Sequence, residues 1–303
     1  MTLSATITAP AAPGRAISAD APFFIVMNAG SRRKQADETR AVLERELGAA
    51  GRRFELRVVD DPATLCAVAQ AAYRAGRPFA VLPRGIFNYF SRGHGIPADL
   101  DASTRLLIEA RAYPVQVGFV NGRMFLVNAS LDLYPKLLED REIYKQQFGS
   151  SWFVALYSAL FTMLKPHRHL RLHIEHEGQT RDIRSITLFV GNNRLQMEQI
   201  GMPDEAHALE QGLLITIGPR PVGRLAHLLL CLRGAAGLLS DSDHVTSFSF
   251  DRITVTHPSK KRRCAKIATD CEVMRLDVPL QFRVSDQPLL LKPEPAVAEA
   301  NRS

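Results

Sequence analysis

The sequence predicts an α/β N-terminal domain, with a doubly wound parallel sheet from which one unit is missing, and a β-rich C-terminal domain of sandwich or barrel type. A length of 303 residues is comfortable for two domains. Apolar runs alternate with amphipathic helical stretches as far as Pro114, and short strand patterns dominate after it. The composition, 46% hydrophobic and 23% charged, excludes a disordered or fibrous chain.

The alternating pattern predicts the first domain over residues 23–114, after a flexible leader at 1–22. The apolar run from Phe23 to Met27 is typical of a buried strand, and Asn28 opens a tight loop after it. Asp61 is suited to the N-cap of a helix that begins with Pro62, because its carboxylate can accept the first unpaired amide hydrogens. Strands are expected at 23–27, 54–59 and 79–82, with helices between them at 37–50 and 62–76.

The second domain is predicted over residues 115–292, before a polar tail at 293–303. Its apolar patterns are short and are separated by turn residues, which favours antiparallel strands. Strands are expected at 115–120, 124–129, 169–176, 183–190, 213–217, 252–256, 263–268 and 280–284, and helices at 136–165 and 222–239.

The charge balance favours anionic partners. Lys and Arg number 38 against 31 Asp and Glu, a formal net charge of +7. This excess suits phosphates, acidic lipid headgroups or nucleic acid alike. Aromatic residues make up only 7%, with one Trp, so a base-stacking platform is not indicated, and no nucleic-acid-binding module is recognised. We therefore expect no nucleic acid partner.

The cysteines and the apolar segments predict a cytoplasmic protein. The four cysteines show no CxxC spacing and are too few for a disulfide scaffold, which is typical of free thiols in a reducing compartment. The leader lacks the apolar core of a secretion signal. The most apolar stretch, Leu225 to Leu239, is too short and too polar to span a membrane.

Five segments, in order along residues 23–292, resemble the diacylglycerol kinase-like bacterial lipid kinases, which are relatives of the sphingosine kinases. Each motif alone is weak, whereas five in the right order are fairly specific. The strand and loop at 25–31 resemble the family's N-P-x-S-G loop, and 82–90 resembles its P-x-G-T-x-N segment. Matches of the second domain lie at 120–130, 189–193 and 269–272, the last resembling a D-G-E turn.

This resemblance implies a two-domain kinase that binds ATP and Mg²⁺ and phosphorylates a hydroxyl of a diacylglycerol-like lipid. In the matching loops, Asn28, Ser31, Gly85 and Asn88 would line the nucleotide site. Structural alternatives exist for all four. Asn28 can form an Asx turn, Gly85 can serve a turn, and Ser31 and Asn88 can each cap a helix.

The D-G-E-like turn supplies the implied catalytic residues. Glu272 is the candidate general base, because a carboxylate in a turn beside a cleft can accept a hydroxyl proton. Asp270 would orient a metal or the base. The alternatives are a solvated hairpin Glu and an Asp that caps its turn. No residue is assigned as a metal ligand.

The chain also departs from the family pattern. The G-G-D-G-T loop, with its strand and helix, is absent and belongs between Gly76 and Pro83. Ile86 replaces a Thr, Asp132 stands at a usual Gly, and Cys271 replaces the middle Gly of D-G-E. The alternative function is therefore a catalytically inactive member that binds lipid or a protein partner. A third possibility is an unstable deletion product.

Two basic runs are candidates for contact with an anionic membrane. Arg32 to Lys34 follow the first loop, and Lys260 to Arg263 lie between two predicted strands. Each cation near an anionic bilayer contributes about 1 kcal/mol. A solvated surface turn is the alternative for both runs. Together with the resemblance, they predict peripheral contact at the inner membrane surface.

Overall fold

The computed structural model describes residues 21–28, 33–59, 64–83, 88–109, 111–132, 170–176, 178–185, 187–221, 223, 226, 229, 233, 237–238, 244–256, 263–270 and 272–292. These residues form two compact units. Unit 1 contains the described residues up to Val115 and those from Gln287 onward, and unit 2 runs from Gln116 to Asp286. The chain therefore returns to unit 1 after completing unit 2.

The described helices and strands follow one another in this order. The helices are α1 (Arg33–Ala49), α2 (Thr64–Arg74), α3 (Tyr89–Gly93), α4 (Leu100–Glu109), α5 (Arg194–Gln199) and α6 (Pro203–Glu210). The strands are β1 (Phe23–Asn28), β2 (Phe54–Val59), β3 (Phe79–Ala80), β4 (Tyr113–Val115), β5 (Gly118–Val120), β6 (Arg123–Phe125), β7 (Asn128–Asp132), β8 (Leu170–His176), β9 (Gln179–Ser185), β10 (Thr187–Gly191), β11 (Leu214–Pro219), β12 (Val245–Phe250), β13 (Arg252–Thr256), β14 (Cys264–Thr269), β15 (Glu272–Asp277), β16 (Leu280–Val284) and β17 (Leu289–Lys292).

Unit 1 has mixed α/β content, but its described strands form two sheets. Strands β1 and β2 pair in parallel, from Phe23 opposite Phe54 to Asn28 opposite Val59. The second sheet has the order β3-β17-β4. Helix α2 contacts β1, β3 and β17, so one helix packs on both sheets. The single doubly wound parallel sheet expected from the sequence is thus not formed by the described residues.

Strand β17 completes the second sheet of unit 1. It pairs in parallel with β3 and antiparallel with β4. Its Leu289 and Leu291 are fully buried, so the strand is held by packing as well as by hydrogen bonds. The second domain was predicted to extend over 115–292, but the described residues from Gln287 onward belong to unit 1.

Unit 2 contains two six-stranded sheets whose neighbouring strands are antiparallel. One has the order β12-β11-β10-β7-β14-β15 and the other β6-β5-β16-β13-β8-β9. Both sheets contribute side chains to one hydrophobic core, for example Val190 and Ile267 from the first and Ile174 from the second. Helices α5 and α6 cover part of the first sheet, where Met197 and Met202 pack near Ile215.

Several strand predictions for unit 2 need correction. The expected strand at 183–190 is two strands, β9 and β10, and the one at 115–120 is divided between β4 and β5. Strand β12 was missed because Thr and Ser interrupt its apolar alternation, and β15 was missed because it is an edge strand with exposed Arg275 and Asp277. The helix predicted at 136–165 lies outside the described residues, as does most of that at 222–239.

Within the described part of the chain, no helix is both long enough and apolar enough to cross a membrane.

Candidate functional site

The Asp270 side chain joins the β14–β15 turn to the corner between β6 and β7. Its Oδ2 accepts the backbone N–H of Leu126 at 2.5 Å. Its Oδ1 accepts the N–H groups of Val127 at 2.8 Å and Asn128 at 2.9 Å. In return, the backbone N–H of Asp270 donates to the carbonyl of Asn128 at 3.1 Å. Four hydrogen bonds thus hold the corner 126–128 against the turn.

The backbone of Asp270 is specialised for this contact. Its φ is +45°, in the left-handed region, which Asp tolerates better than most residues. Both carboxylate oxygens accept backbone N–H groups, which supports the capping alternative for Asp270. The backbone that it caps is the distant corner 126–128 and not its own turn. Cys271, the next residue, lies outside the described residues.

Glu272 begins β15 directly after this turn. It is half-buried and lies opposite Thr269 of β14. Opposite residues of antiparallel strands point to the same face, so Glu272 shares its face with Thr269 and, one strand further, Ala129. The structure therefore places the candidate base on the strand that the Asp270 contacts fix, with its side chain on the core-facing side at an edge strand.

Two carboxamides that the sequence analysis did not single out support the same corner. Asn192 donates from Nδ2 to the carbonyl of Leu126 at 2.9 Å, and its backbone N–H donates to the carbonyl of Val127 at 2.8 Å. Gln116 donates from Nε2 to Asn192 Oδ1 at 2.8 Å and to the carbonyl of Leu213 at 3.1 Å. The matched segment 189–193 gave a signal for Asn192, and no motif pointed to Gln116.

Buried polar atoms next to the corner have no hydrogen-bond partner among the described residues. They are Asn128 Oδ1 and Ser130 Oγ on one face of β7, and Thr216 Oγ1 and Thr269 Oγ1 on the other face of the sheet. Asn128 does donate from Nδ2 to Gln196 Oε1 at 3.2 Å. Unpaired buried polar atoms are costly, so these four atoms call for ordered water or another polar partner.

In unit 1, the structure describes two of the four predicted nucleotide-site residues. Asn28 ends β1, and its side chain, like Ser31 and Gly85, lies outside the described residues. Asn88 precedes α3 in the left-handed region, with φ 43° and ψ 37°. It occupies the N-cap position of α3, as the alternative expected, but its side chain makes no cap hydrogen bond to the helix.

A half-buried histidine anchors the other end of α3. A hydrogen bond of 2.8 Å joins Tyr113 Oη and His94 Nδ1. The His94 ring meets the Phe90 ring edge-on, with centroids 4.7 Å apart. Burial lowers the pKa of His94 to about 4, so the ring is neutral near pH 7. These contacts tie α3, which begins within the matched segment 82–90, to β4.

No three His, Cys, Asp or Glu side chains of the described residues come together in a metal-binding arrangement.

Comparison with known proteins establishes the fold. The sequence matches no protein-family model. Two structures of a "putative diacylglycerol kinase" from Bacillus anthracis str. Sterne superpose with TM-scores of 0.65 and 0.62, each at 17% identity, covering 91% and 87% of this chain and 98% and 94% of theirs. A structure of diacylglycerol kinases from the same strain gives a TM-score of 0.59 at 14% identity, covering 91% of this chain and 98% of its own. The chain has a diacylglycerol-kinase-like fold.

Proposed function

We propose that this protein is a lipid kinase of the diacylglycerol kinase type, which transfers the γ-phosphate of ATP to a hydroxyl of a diacylglycerol-like lipid. The fold supports this assignment, and one observation carries it. The Asp270 carboxylate binds three backbone amides of 126–128 and so fixes the turn from which Glu272 projects. A base for phosphoryl transfer must be held in place in this way, because positioning supplies most of the catalysis.

In the proposed reaction, Glu272 accepts the proton of the lipid hydroxyl. The hydroxyl oxygen forms a bond to the γ-phosphorus as the bond from that phosphorus to the bridging oxygen breaks, and ADP leaves. Asn28, Ser31, Gly85 and Asn88 are the proposed nucleotide contacts. Asp270 acts by positioning Glu272.

Magnesium is the proposed metal, since it neutralises the phosphate charges when it accompanies ATP. The described residues do not fit a protein-held site for it. Both oxygens of Asp270 already accept amide hydrogens, so this carboxylate is not assigned as a ligand. We therefore assign no residue to the metal and no step to it.

The second candidate is an inactive family member that binds lipid, in peripheral contact with an anionic membrane surface on the cytoplasmic side. It is favoured by the division of the described unit 1 strands into two sheets, together with the absence of a G-G-D-G-T loop from the sequence. Glycine amides of such a loop approach phosphates closely, and their loss weakens nucleotide binding.

Transfer of radiolabelled phosphate from ATP to diacylglycerol in mixed micelles tests the proposal. We expect turnover by the parent chain and a loss of about 10²–10⁴-fold in Glu272→Gln, whose amide keeps the shape of the side chain but accepts no proton. Asp277→Asn, at the exposed end of the same strand, is the matched control and should keep parental activity. Equal rates in the parent and Glu272→Gln would remove Glu272 from the mechanism. Lipid binding without turnover in any variant would favour the second candidate.

A further inference from the structure

Two threonines with unpaired hydroxyl groups lie in one row of the sheet that contains β7 and β14. Thr216 of β11 is 0% exposed and Thr269 of β14 is 1% exposed, and neither Oγ1 has a hydrogen-bond partner among the described residues. The strand register connects the two threonines through Val190 and Ala129, so these side chains leave the same face of the sheet. That face packs into the hydrophobic core of unit 2.

The neighbours of Thr216 within this sheet are apolar. Val190 and Phe248 lie opposite it on the two adjacent strands, and Leu214 precedes it on the same face of β11. None of these three side chains carries a hydrogen-bond donor or acceptor. Thr216 is therefore a core residue to which the described part of its own sheet offers no polar partner.

The surroundings of Thr269 differ in one side chain, because Glu272 of β15 lies directly opposite it. Opposite Cβ atoms of antiparallel strands are about 4.5–5.5 Å apart, so the long Glu272 side chain can reach the Thr269 hydroxyl by rotating about its own bonds. The other neighbours on this face of the adjoining strands are apolar, namely Ala129, Leu131, Ile267 and Met274. Glu272 is thus the one strong acceptor that the described register places beside this hydroxyl.

The backbone around this pair is already fixed. Thr269 and Glu272 flank the turn at 270–271, and the Asp270 carboxylate holds that turn against the corner 126–128. The Glu272 side chain is half-buried on the core-facing side, where a carboxylate needs hydrogen-bond donors to replace water. The Thr269 hydroxyl has a proton to donate and no described acceptor for it.

We propose that the Thr269 hydroxyl donates to one carboxylate oxygen of Glu272 and leaves the other oxygen to accept the proton of the lipid hydroxyl. Thr269 Oγ1 is unpaired in the structure, and the bond forms when the Glu272 side chain turns toward it. Thr269 is then a positioning residue, because it acts through Glu272. This inference rests on the proposed function, in which Glu272 is the base and its orientation sets the rate.

Phosphate transfer to diacylglycerol by Thr269→Val, Thr269→Ser and Thr216→Val tests this role. Valine keeps the shape of threonine without the hydroxyl, so kcat of Thr269→Val should fall about tenfold, as for the loss of one hydrogen bond to a charged group. The KM for the lipid should change less than about twofold, because the hydroxyl acts on Glu272 and not on the lipid. Thr269→Ser, which keeps the hydroxyl, should stay within about threefold of the parental kcat.

Thr216→Val is the matched control, since it removes an equally buried and unpaired hydroxyl from the same row, away from Glu272. It should keep the parental kcat. Equal kcat values for Thr269→Val and Thr216→Val would overturn the proposal. A raised KM at unchanged kcat in Thr269→Val would also overturn it, because the hydroxyl would then contact the lipid itself.

Urea unfolding tests the contact without kinase activity. Thr269→Val should lower the unfolding midpoint of the parent but not that of Glu272→Met, which has lost the carboxylate, whereas Thr216→Val should shift both midpoints alike. If Thr269→Val also shifts both alike, ordered water and not Glu272 is the partner of the hydroxyl, and the proposal is overturned. Dependence on residue 272 in a parent chain that transfers no phosphate would support the contact and refute the kinase function on which its role rests.

Discussion

At the scale of single residues, Asp270 links positions that are 142 to 144 residues apart in sequence. The sequence left two roles open for it, orientation of a metal or base, and capping of a turn. Three amide hydrogens converge on the carboxylate, which makes it the anchor of the corner 126–128. The sequence pattern could not reveal this, because nothing local to 269–272 identifies which distant amides the carboxylate meets.

Replacing Asp270 should therefore destabilise the fold itself. Asp270→Ala leaves three N–H groups without their acceptor, and we expect the free energy of unfolding to fall by about 2–4 kcal/mol, since hydrogen bonds to charged groups are worth roughly 1.5–3 kcal/mol each and are not additive. Urea unfolding followed by circular dichroism measures the change. Asp277→Ala, at an exposed position, should cost less than about 0.5 kcal/mol. A similar small loss for Asp270→Ala would contradict the anchoring role.

His94 should make stability depend on pH. Burial lowers its pKa in the folded chain to about 4, below the value of 6.5 expected when unfolded, so the unfolded chain takes up the proton first. The contribution of His94 is complete above about pH 6.5 and is lost as the pH falls through 4, by about 3 kcal/mol, because each unit of pKa shift is worth about 1.4 kcal/mol. Urea unfolding of the parent and His94→Gln between these pH values should show a shallower pH slope in the variant. Identical slopes would show that His94 does not titrate in this way.

At the scale of elements, β5 and β6 make a close contact that the amino-acid composition cannot predict. Gly118 of β5 lies opposite Phe125 of β6, whose side chain is fully buried. A Cβ placed on Gly118 would lie only 2.2 Å from the Phe125 ring. The glycine therefore makes room for the buried Phe125 ring.

A methyl group at this position should be costly. Gly118→Ala must displace Phe125, and we expect a loss of about 1–3 kcal/mol in the free energy of unfolding, as for other overpacked cores. The control is Gly48→Ala in α1, where nothing lies within 4 Å of the added Cβ. That change should stabilise the chain by about 0.5–1 kcal/mol, because alanine favours helices. Chemical unfolding of both variants measures the free energy of unfolding. If Gly118→Ala left it unchanged, the Phe125 ring would be free to move aside.

At the scale of the whole molecule, unit 1 is built from both ends of the described chain. The segment Leu289–Lys292 returns to unit 1, where β17 pairs with both β3 and β4. As the central strand of its sheet, β17 joins two strands that make no ladder with each other. The order of unit 1 therefore depends on residues that follow unit 2.

Weakening β17 should affect unit 1 selectively. Leu291→Ala removes a fully buried side chain, and we expect a loss of about 2–5 kcal/mol, concentrated in β3, β4 and β17. Hydrogen exchange read by mass spectrometry should show faster exchange in these strands and unchanged exchange in β14 and β15. Leu65→Ala, on an exposed α2 position, is the control. Faster exchange throughout unit 2 would contradict a unit-specific effect.

The sequence by itself determined the change from α/β to β-rich structure near Pro114 and the position of the Asp270–Glu272 turn. Hydrophobic periodicity and turn residues are local properties, so they can be read without the fold. Only the tertiary structure decided that the unit 1 strands form two sheets, that Asp270 meets 126–128, and that Thr216 and Thr269 share one row of a sheet. Strand order and register are set by packing between distant segments, because a one-residue slip would turn every side chain to the opposite face.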